Sequence, residues 1–364
     1  MLTPPDEHFN HQVAFPHALV GSSDPSWRER YWVSLQDTTS GATVLTLGLG
    51  QYPNQDVQEA FVCLTHQDVQ RNLRLSRRLS PDRHVMAVGP FTAEVVEPYR
   101  RLRFGLGDNP SGIRFELDWL GSFDPYLEER HFETSGPRVT HDLVRYVQVG
   151  RADGVLVVGD EQLAVTPTAW WGERDHSWGV RPLPRSAGAP PTERPDWRFL
   201  LFLPVQLEEL GLHLYLFEDG DGVPTHLSCG LMSPRGSGRE RVLRVEHDLS
   251  WERDAPTPTL VGGTVAVSFL GGRDLRLELT ALPARAYLRG GGYGGVDGWY
   301  QGHWKGELDV VHERWDLPAR AALRSRGAAS SDHMVEVRCD GSVGYGVAEY
   351  MVLDGHERYG YARG

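Results

Sequence analysis

Cysteine is scarce: Cys63, Cys229 and Cys339 lie far apart in the 364 residues and are odd in number. That excludes a disulfide framework and a CxxC-type zinc site, and it points to a reducing compartment, taken as the cytoplasm. Positive charge is short as well, 37 Lys and Arg against 49 Asp and Glu, a net charge of -12. Such a surface repels phosphate backbones, so nucleic acid is not an expected partner. Long hydrophobic runs are missing: Val155–Val158 and Phe199–Val205 are too short to span a bilayer, and Met1–Asn10 carries Asp6 and Glu7 where a signal peptide needs basic residues. Helical periodicity is confined to two short stretches, Asp56–Gln67 and Leu317–Ser325, the second with Pro318 in its first turn. There is no HExxH, no GxSxG elbow and no paired Cys/His spacing, so no metal is expected. Gly290, Gly292 and Gly295 formally satisfy GxGxxG, but no helix pattern or βαβ unit surrounds them, and no nucleotide cofactor is expected either.

What is abundant is glycine, proline and aromatic rings: 41 Gly, 24 Pro, 12 Phe, 13 Tyr and 11 Trp. Many turns and many large rings suit a β-rich protein with an aromatic interior. Period-two alternation supports this. Val265, Val267 and Phe269, then a turn at Gly271-Gly272-Arg273-Asp274, then Leu275, Leu277 and Leu279, read as an antiparallel hairpin. Ile113–Trp119, Leu212–Leu216, and the pair Val155–Val158 and Leu163–Val165 around Gly159-Asp160 read as further strands. The class is mainly β, and a doubly wound sheet is excluded. Arg181–Pro195 holds five prolines and almost nothing to bury. It divides the chain into a first domain at 1–182, a linker at 183–196 and a second domain at 197–364.

The densest set of reactive side chains is Trp170-Trp171-Gly-Glu-Arg174-Asp175-His176-Ser177-Trp178, just before the linker. If extended, it points Arg174, His176 and Trp178 to one face and Asp175 and Ser177 to the other. A carboxyl walled by Trp stays protonated to high pH and can act as an acid, imidazole can relay protons, and indole faces stabilise cations. The alternative is a paired ionic turn over a Trp-rich core. A second cluster follows the glycines: Tyr293, Trp299, Tyr300, His303 and Trp304 either line a pocket or pack a barrel. Glu349, a carboxylate in an apolar strand, invites a partner but also suits a solvent-facing sheet edge.

The stretch Arg174-Asp-His-Ser-Trp-Gly-Val-Arg181, with Tyr146–Gly154, Gly298–Gly306 and the opening Asp24–Asp37 with Tyr52-Pro-Asn54, resembles the carotenoid 1,2-hydratase (hydroxyneurosporene synthase) and AttH-like superfamily. The resemblance covers most of the chain and is closest to a bacterial branch of largely unassigned function. It implies a tandem of two lipocalin-like antiparallel β-barrels with an apolar pocket around the Asp-His-x-Trp segment. It further implies Asp175 as proton donor, His176 as its partner or water activator, and Trp178 as a wall. The function expected is a hydratase or dehydratase interconverting an alkene and a tertiary alcohol on a small isoprenoid-like substrate, by protonation to a carbocation. An isomerase or cyclase using the same acid, or a binder without chemistry, are the alternatives.

Overall fold

The alternating segments form strands in the computed structural model, which describes residues 6, 13–181, 197–234, 240–254, 257–317 and 331–360. The chain builds two nearly closed antiparallel barrels, as expected of a lipocalin-like tandem. The first uses β1 (Trp27–Asp37), β2 (Thr43–Tyr52), β3 (Val57–His66), β4 (Val69–Arg78), β5 (Ala87–Val88), β6 (Phe91–Glu97), β7 (Arg101–Leu106) and β8 (Ile113–Gly121). It continues through β9 (Tyr126–Leu127), β10 (His131–Ser135), β11 (Arg138–Val158), β12 (Glu161–Val165) and β13 (Trp170–Val180), with β1 paired between β2 and β13. The second contains β14 (Phe199–Gln206), β15 (Gly211–Glu218), β16 (Pro224–Met232), β17 (Val242–Asp254), β18 (Thr257–Phe269) and β19 (Asp274–Tyr287), then β21 (Ser331–Cys339) and β22 (Ser342–Val352). The remaining strand, β20 (Leu308–Asp316), lies in the C-terminal half yet pairs along its full length with β4 of the first sheet.

The expected hairpins are found: β18 pairs with β19, and β11 with β12. The expected helix at Asp56–Gln67 is instead strand β3. Ala60, Val62 and Leu64 face the first barrel's core while Phe61 and Cys63 face the second barrel. A strand buried on both faces carries apolar residues at consecutive positions, some of which coincide with helical spacing. The other expected helix begins in a turn at Leu317 and otherwise lies outside the described residues, as does the proline-rich linker beyond Arg181.

Each barrel has its own apolar interior, and a third cluster fills the space between them: Trp32, Val44, Phe61 and Val147 from the first against Phe202, Tyr215, Met334 and Val347 from the second. The glycine-rich stretch after β19 crosses this boundary. A Cβ at Gly290 would lie 2.0 Å from Asn72 Oδ1, so only glycine lets this backbone lie flat on β4. Arg74 Nη1 donates to Gly290 O at 2.8 Å, and Gly302 N and Lys305 Nζ donate to the Glu59 carboxylate. The crossover is an anchor laid on the outside of the first barrel.

One polar group joins the barrels from inside. Asp332 Oδ2 on β21 accepts from Trp32 Nε1 at 3.1 Å and from Thr46 Oγ1 at 2.6 Å, both in the first barrel, while among the described residues Oδ1 has no partner. Full burial, with Glu349 nearby, raises its pKa well above the ordinary carboxylate value. A carboxyl that titrates higher folded than unfolded gives its full stabilisation below the ordinary carboxylate range and loses it as pH rises toward the folded pKa. Asp332→Asn keeps the shape and removes the ionisation. Its melting temperature should exceed the wild type's by about 2 °C or more at pH 8, with a smaller difference at pH 5, in thermal unfolding followed by circular dichroism.

Candidate functional site

Strand β13 lies between β1 and β11, and its alternation sorts the reactive cluster onto two surfaces. Arg174, His176 and Trp178 share the face of Val33, Tyr31 and Glu29 on β1, which looks into the first barrel. Glu173, Asp175 and Ser177 share the face of Ser34, Trp32 and Arg30, which looks toward the second barrel. Asp175 and His176, expected to act as a pair on one substrate, are therefore on opposite sides of the sheet. Adjacent residues of a strand have no other option.

The inner face ends in an open cup. A cavity of about 550 Å³ is bordered by Tyr31, Leu49, Gln51, His84, Met86 and Val95. A second of about 600 Å³ shares Glu29, Tyr31, Arg83, Val95 and His176 with it and extends to Tyr99, Tyr146 and Trp178 beneath the segment Val13–Gly21. His176 lies at their junction. Its Nε2 is 2.9 Å from Glu29 Oε1 and its Nδ1 is 3.1 Å from Tyr146 Oη. Arg174 Nη1 donates to the same Tyr146 oxygen at 3.3 Å, and Arg83 Nη2 donates to Glu29 Oε2 at 2.6 Å. Burial pushes the Glu29 carboxyl upward, but the hydrogen bond and charge of His176 with Arg83 outweigh it and hold the pKa below the ordinary value. An ionised Glu29 can only accept, so neutral His176 carries its proton on Nε2, and Nδ1 accepts from the Tyr146 hydroxyl. Burial raises the Tyr146 pKa against the opposing charge of Arg174. Rings of Tyr31, Tyr146 and Trp178 stand edge-on to the imidazole at 4.5, 5.3 and 5.5 Å between centroids. Among the described residues no three metal-type ligands converge here.

The outer face is drier and differently charged. Asp175 Oδ2 lies 3.6 Å from Arg145 Nη1, and Arg145 also donates to Glu128, whose Oε1 is 2.7 Å from His213 Nε2 of the second barrel. Burial raises the Asp175 pKa, with Arg145, Arg181 and Arg30 pulling the other way. The aromatic faces nearby are occupied by guanidinium groups: Arg145 sits 4.3 Å from the Tyr215 ring and 4.7 Å from Phe202, and Arg30 sits 4.9 Å from Tyr293. Glu173, also buried, is raised well above the usual range, with Gln36 its only hydrogen-bond partner among the described residues.

The other expected site residues scatter. Tyr293 reaches the inter-barrel layer, where Arg30 Nη2 donates to its hydroxyl at 2.9 Å. Glu349 lies opposite Phe202 on β22, and its charge acts on Asp332, Tyr215 and Tyr293 in the same layer. Trp170 packs in the first barrel's core, and Trp171 meets Tyr345 under the Arg151 guanidinium. Trp299 packs with Trp315 and lies under Lys305, Tyr300 and Trp304 are exposed, and His303 touches Tyr300. Trp171 thus shares the Asp175 surface at its far end, whereas the other five line neither that surface nor the cup, because the crossover that carries most of them lies outside the first barrel. The cup's own Glu29, Tyr31, Arg83 and Tyr146 were missed. Glu29 and Tyr146 stand inside the stretches that carry the family resemblance, and pairing β1 and β11 with β13 by alternation is the signal that brings them to His176.

Three solved structures are similar to the chain. An AttH-like protein of Nitrosomonas europaea superposes with a TM-score of 0.56 at 15% identity, over 96% of this chain and 98% of that one. Kievitone hydratase from Nectria haematococca gives 0.44 at 12% over 89% and 88%, and CghA bound to Sch210972 gives 0.47 at 12% over 91% and 89%. No curated protein matches the chain in sequence. The tandem-barrel fold implied by the AttH-like resemblance is thus the observed one. The family model of the family of unknown function DUF8625 matches residues 2–362, and the chain belongs to that family.

Proposed function

We propose that the protein is a hydratase or dehydratase whose substrate, a small and mainly apolar molecule such as an isoprenoid or related lipid, sits in the cup of the first barrel. The observation that carries this reading is the relay Arg174–Tyr146–His176–Glu29 at the junction of the two cavities. A water held against the Tyr146 hydroxyl passes a proton to Tyr146 Oη as the phenolic proton moves to His176 Nδ1. The imidazolium so formed is held by the Glu29 carboxylate, and the N–H of Arg174 stabilises charge on the phenolic oxygen. The hydroxide equivalent adds to one carbon of the double bond, the proton held on the imidazolium returns through the Tyr146 hydroxyl to the other carbon, and the reverse sequence expels water. The cup's volume suits a drug-sized ligand.

The electrostatics select among double bonds. Asp175 has the raised pKa of an acid, but Arg145, Arg181 and Arg30 surround it, and a carbocation there would meet three positive charges. In the cup, Arg83 and Arg174 likewise favour negative charge. The reading is therefore addition of water to a double bond conjugated to a carbonyl, where negative charge develops on oxygen, rather than protonation of an isolated alkene. A carrier without chemistry is the second reading, favoured by one observation: both ring nitrogens of His176 already have partners.

A panel of terpenoid and lipid enones incubated in heavy-oxygen water should yield a product heavier by one labelled water, read by mass spectrometry. Ligand retention with no mass change would establish the carrier, and isomerisation without label would establish a cyclase or isomerase. His176→Ala and Tyr146→Phe should each lower kcat by about 100-fold or more with ligand binding retained. Asp175→Asn should keep turnover within a few-fold; if it abolishes turnover while His176→Ala does not, the chemistry belongs to the inter-barrel face.

A further inference from the structure

Away from the cup, the hairpin of β10 and β11 gathers three side chains of another kind. His131 and Glu133 are two apart on β10 and share a face, and His141 on β11 is the cross-strand partner of Glu133. One nitrogen of each histidine and a carboxylate oxygen all lie within 4.8 Å of one another. His131 Nε2 is 2.7 Å from Glu133 Oε1, and His141 Nδ1 is 3.0 Å from Glu133 Oε2. The second contact lies outside hydrogen-bond alignment, and among the described residues buried His141 Nδ1 has no other partner. The rings of His131 and His141 stack at 4.8 Å, and on the other side His226 of β16 stacks on His131 at 4.4 Å. His226 Nε2 is likewise buried without a partner.

We propose that His131, Glu133 and His141 form a binding site for one divalent transition-metal ion of the Zn²⁺ class. Two imidazole nitrogens and one carboxylate oxygen are the donor set such an ion takes, with a fourth position left for water. Tetrahedral bonds of about 2.0 to 2.1 Å place donors about 3.3 Å apart, a spacing between the 2.7 Å His131–Glu133 contact and the 4.8 Å that bounds the set, so small side-chain rotations bring the three atoms to it. Another Glu-bridged pair, His247 and His356 on Glu218, does not bring three ligand atoms together in this way among the described residues. Strand β10 pairs with β11 alone, and a two-stranded ribbon is marginal by itself. The ion would lock the ribbon's register, and through the His131–His226 stack it would fix the ribbon against the second barrel.

The test uses the full chain, stripped with a chelator, incubated with ZnCl₂ and desalted. One zinc per chain should remain by elemental analysis, and Co²⁺ in its place should give the visible absorption of a low-coordinate nitrogen–oxygen site. His141→Ala and Glu133→Gln, both at partly exposed positions, should weaken zinc binding more than about 10-fold in competition with a chromophoric chelator, with the metal-free circular dichroism unchanged. His17→Ala, which breaks the edge-on pair of His17 and His84 at the cup, should leave zinc binding as in the wild type. Wild-type protein that retains no zinc, variants that bind it undiminished, or binding that is lost with His17→Ala would each overturn the assignment.

Discussion

The packing of one barrel wall against the other is the constraint from which the rest follows. Strands β2, β3, β14 and β15 are buried along nearly their whole length, because one face fills a barrel and the other fills the gap between barrels. A sheet in that position cannot turn its polar side chains to water. Those that remain must find partners in the gap, which is why Asp332 bonds to Trp32 and Thr46, and why Glu128, Arg145 and His213 form a connected chain of polar groups across it.

The same wall divides the chemistry. Because β13 belongs to it, one run of sequence supplies two unlike environments a single sheet apart. Toward the cup, His176 is only partly buried and lies within reach of a cavity. Toward the gap, Asp175 and Glu173 are dry, crowded and held toward their neutral forms. The acidic residues that look most reactive by their surroundings are those that connect the barrels, whereas the residue with access to a ligand has an ordinary aromatic enclosure and an ionised partner.

Much of this was legible in the residues. Alternation at Ile113–Trp119 marks a strand because burial alternates there, and at Leu212–Leu216 it marks one whose polar face meets the other barrel. The facing of Arg174, His176 and Trp178 could also be written down from the period of two. What could not be read was the partner of each face: nothing local in Trp27–Asp37 says that Glu29 will meet His176, since their contact spans 147 positions of chain. The helix expected at Asp56–Gln67 fails for the same reason, because burial on the second side of β3 comes from the other barrel. The tryptophans after the glycine loop stay ambiguous in sequence, since ring density identifies an apolar contact without saying whether a ligand or a protein wall provides it.

Strand β20 bears on how such a chain can be inherited. It leaves the second barrel, lies along β4 of the first from Leu308 to Asp316, and the next described strand, β21, is back in the second barrel. A gene cut at the proline-rich segment would leave β4 with a bare row of amides and carbonyls, the kind of edge that recruits other strands. It would also give the second fragment a ribbon with nothing to pair. Although the architecture looks like two copies of one module, neither half is a transferable unit, and recombination that shuffles barrels between relatives must carry that single strand with its host or lose both.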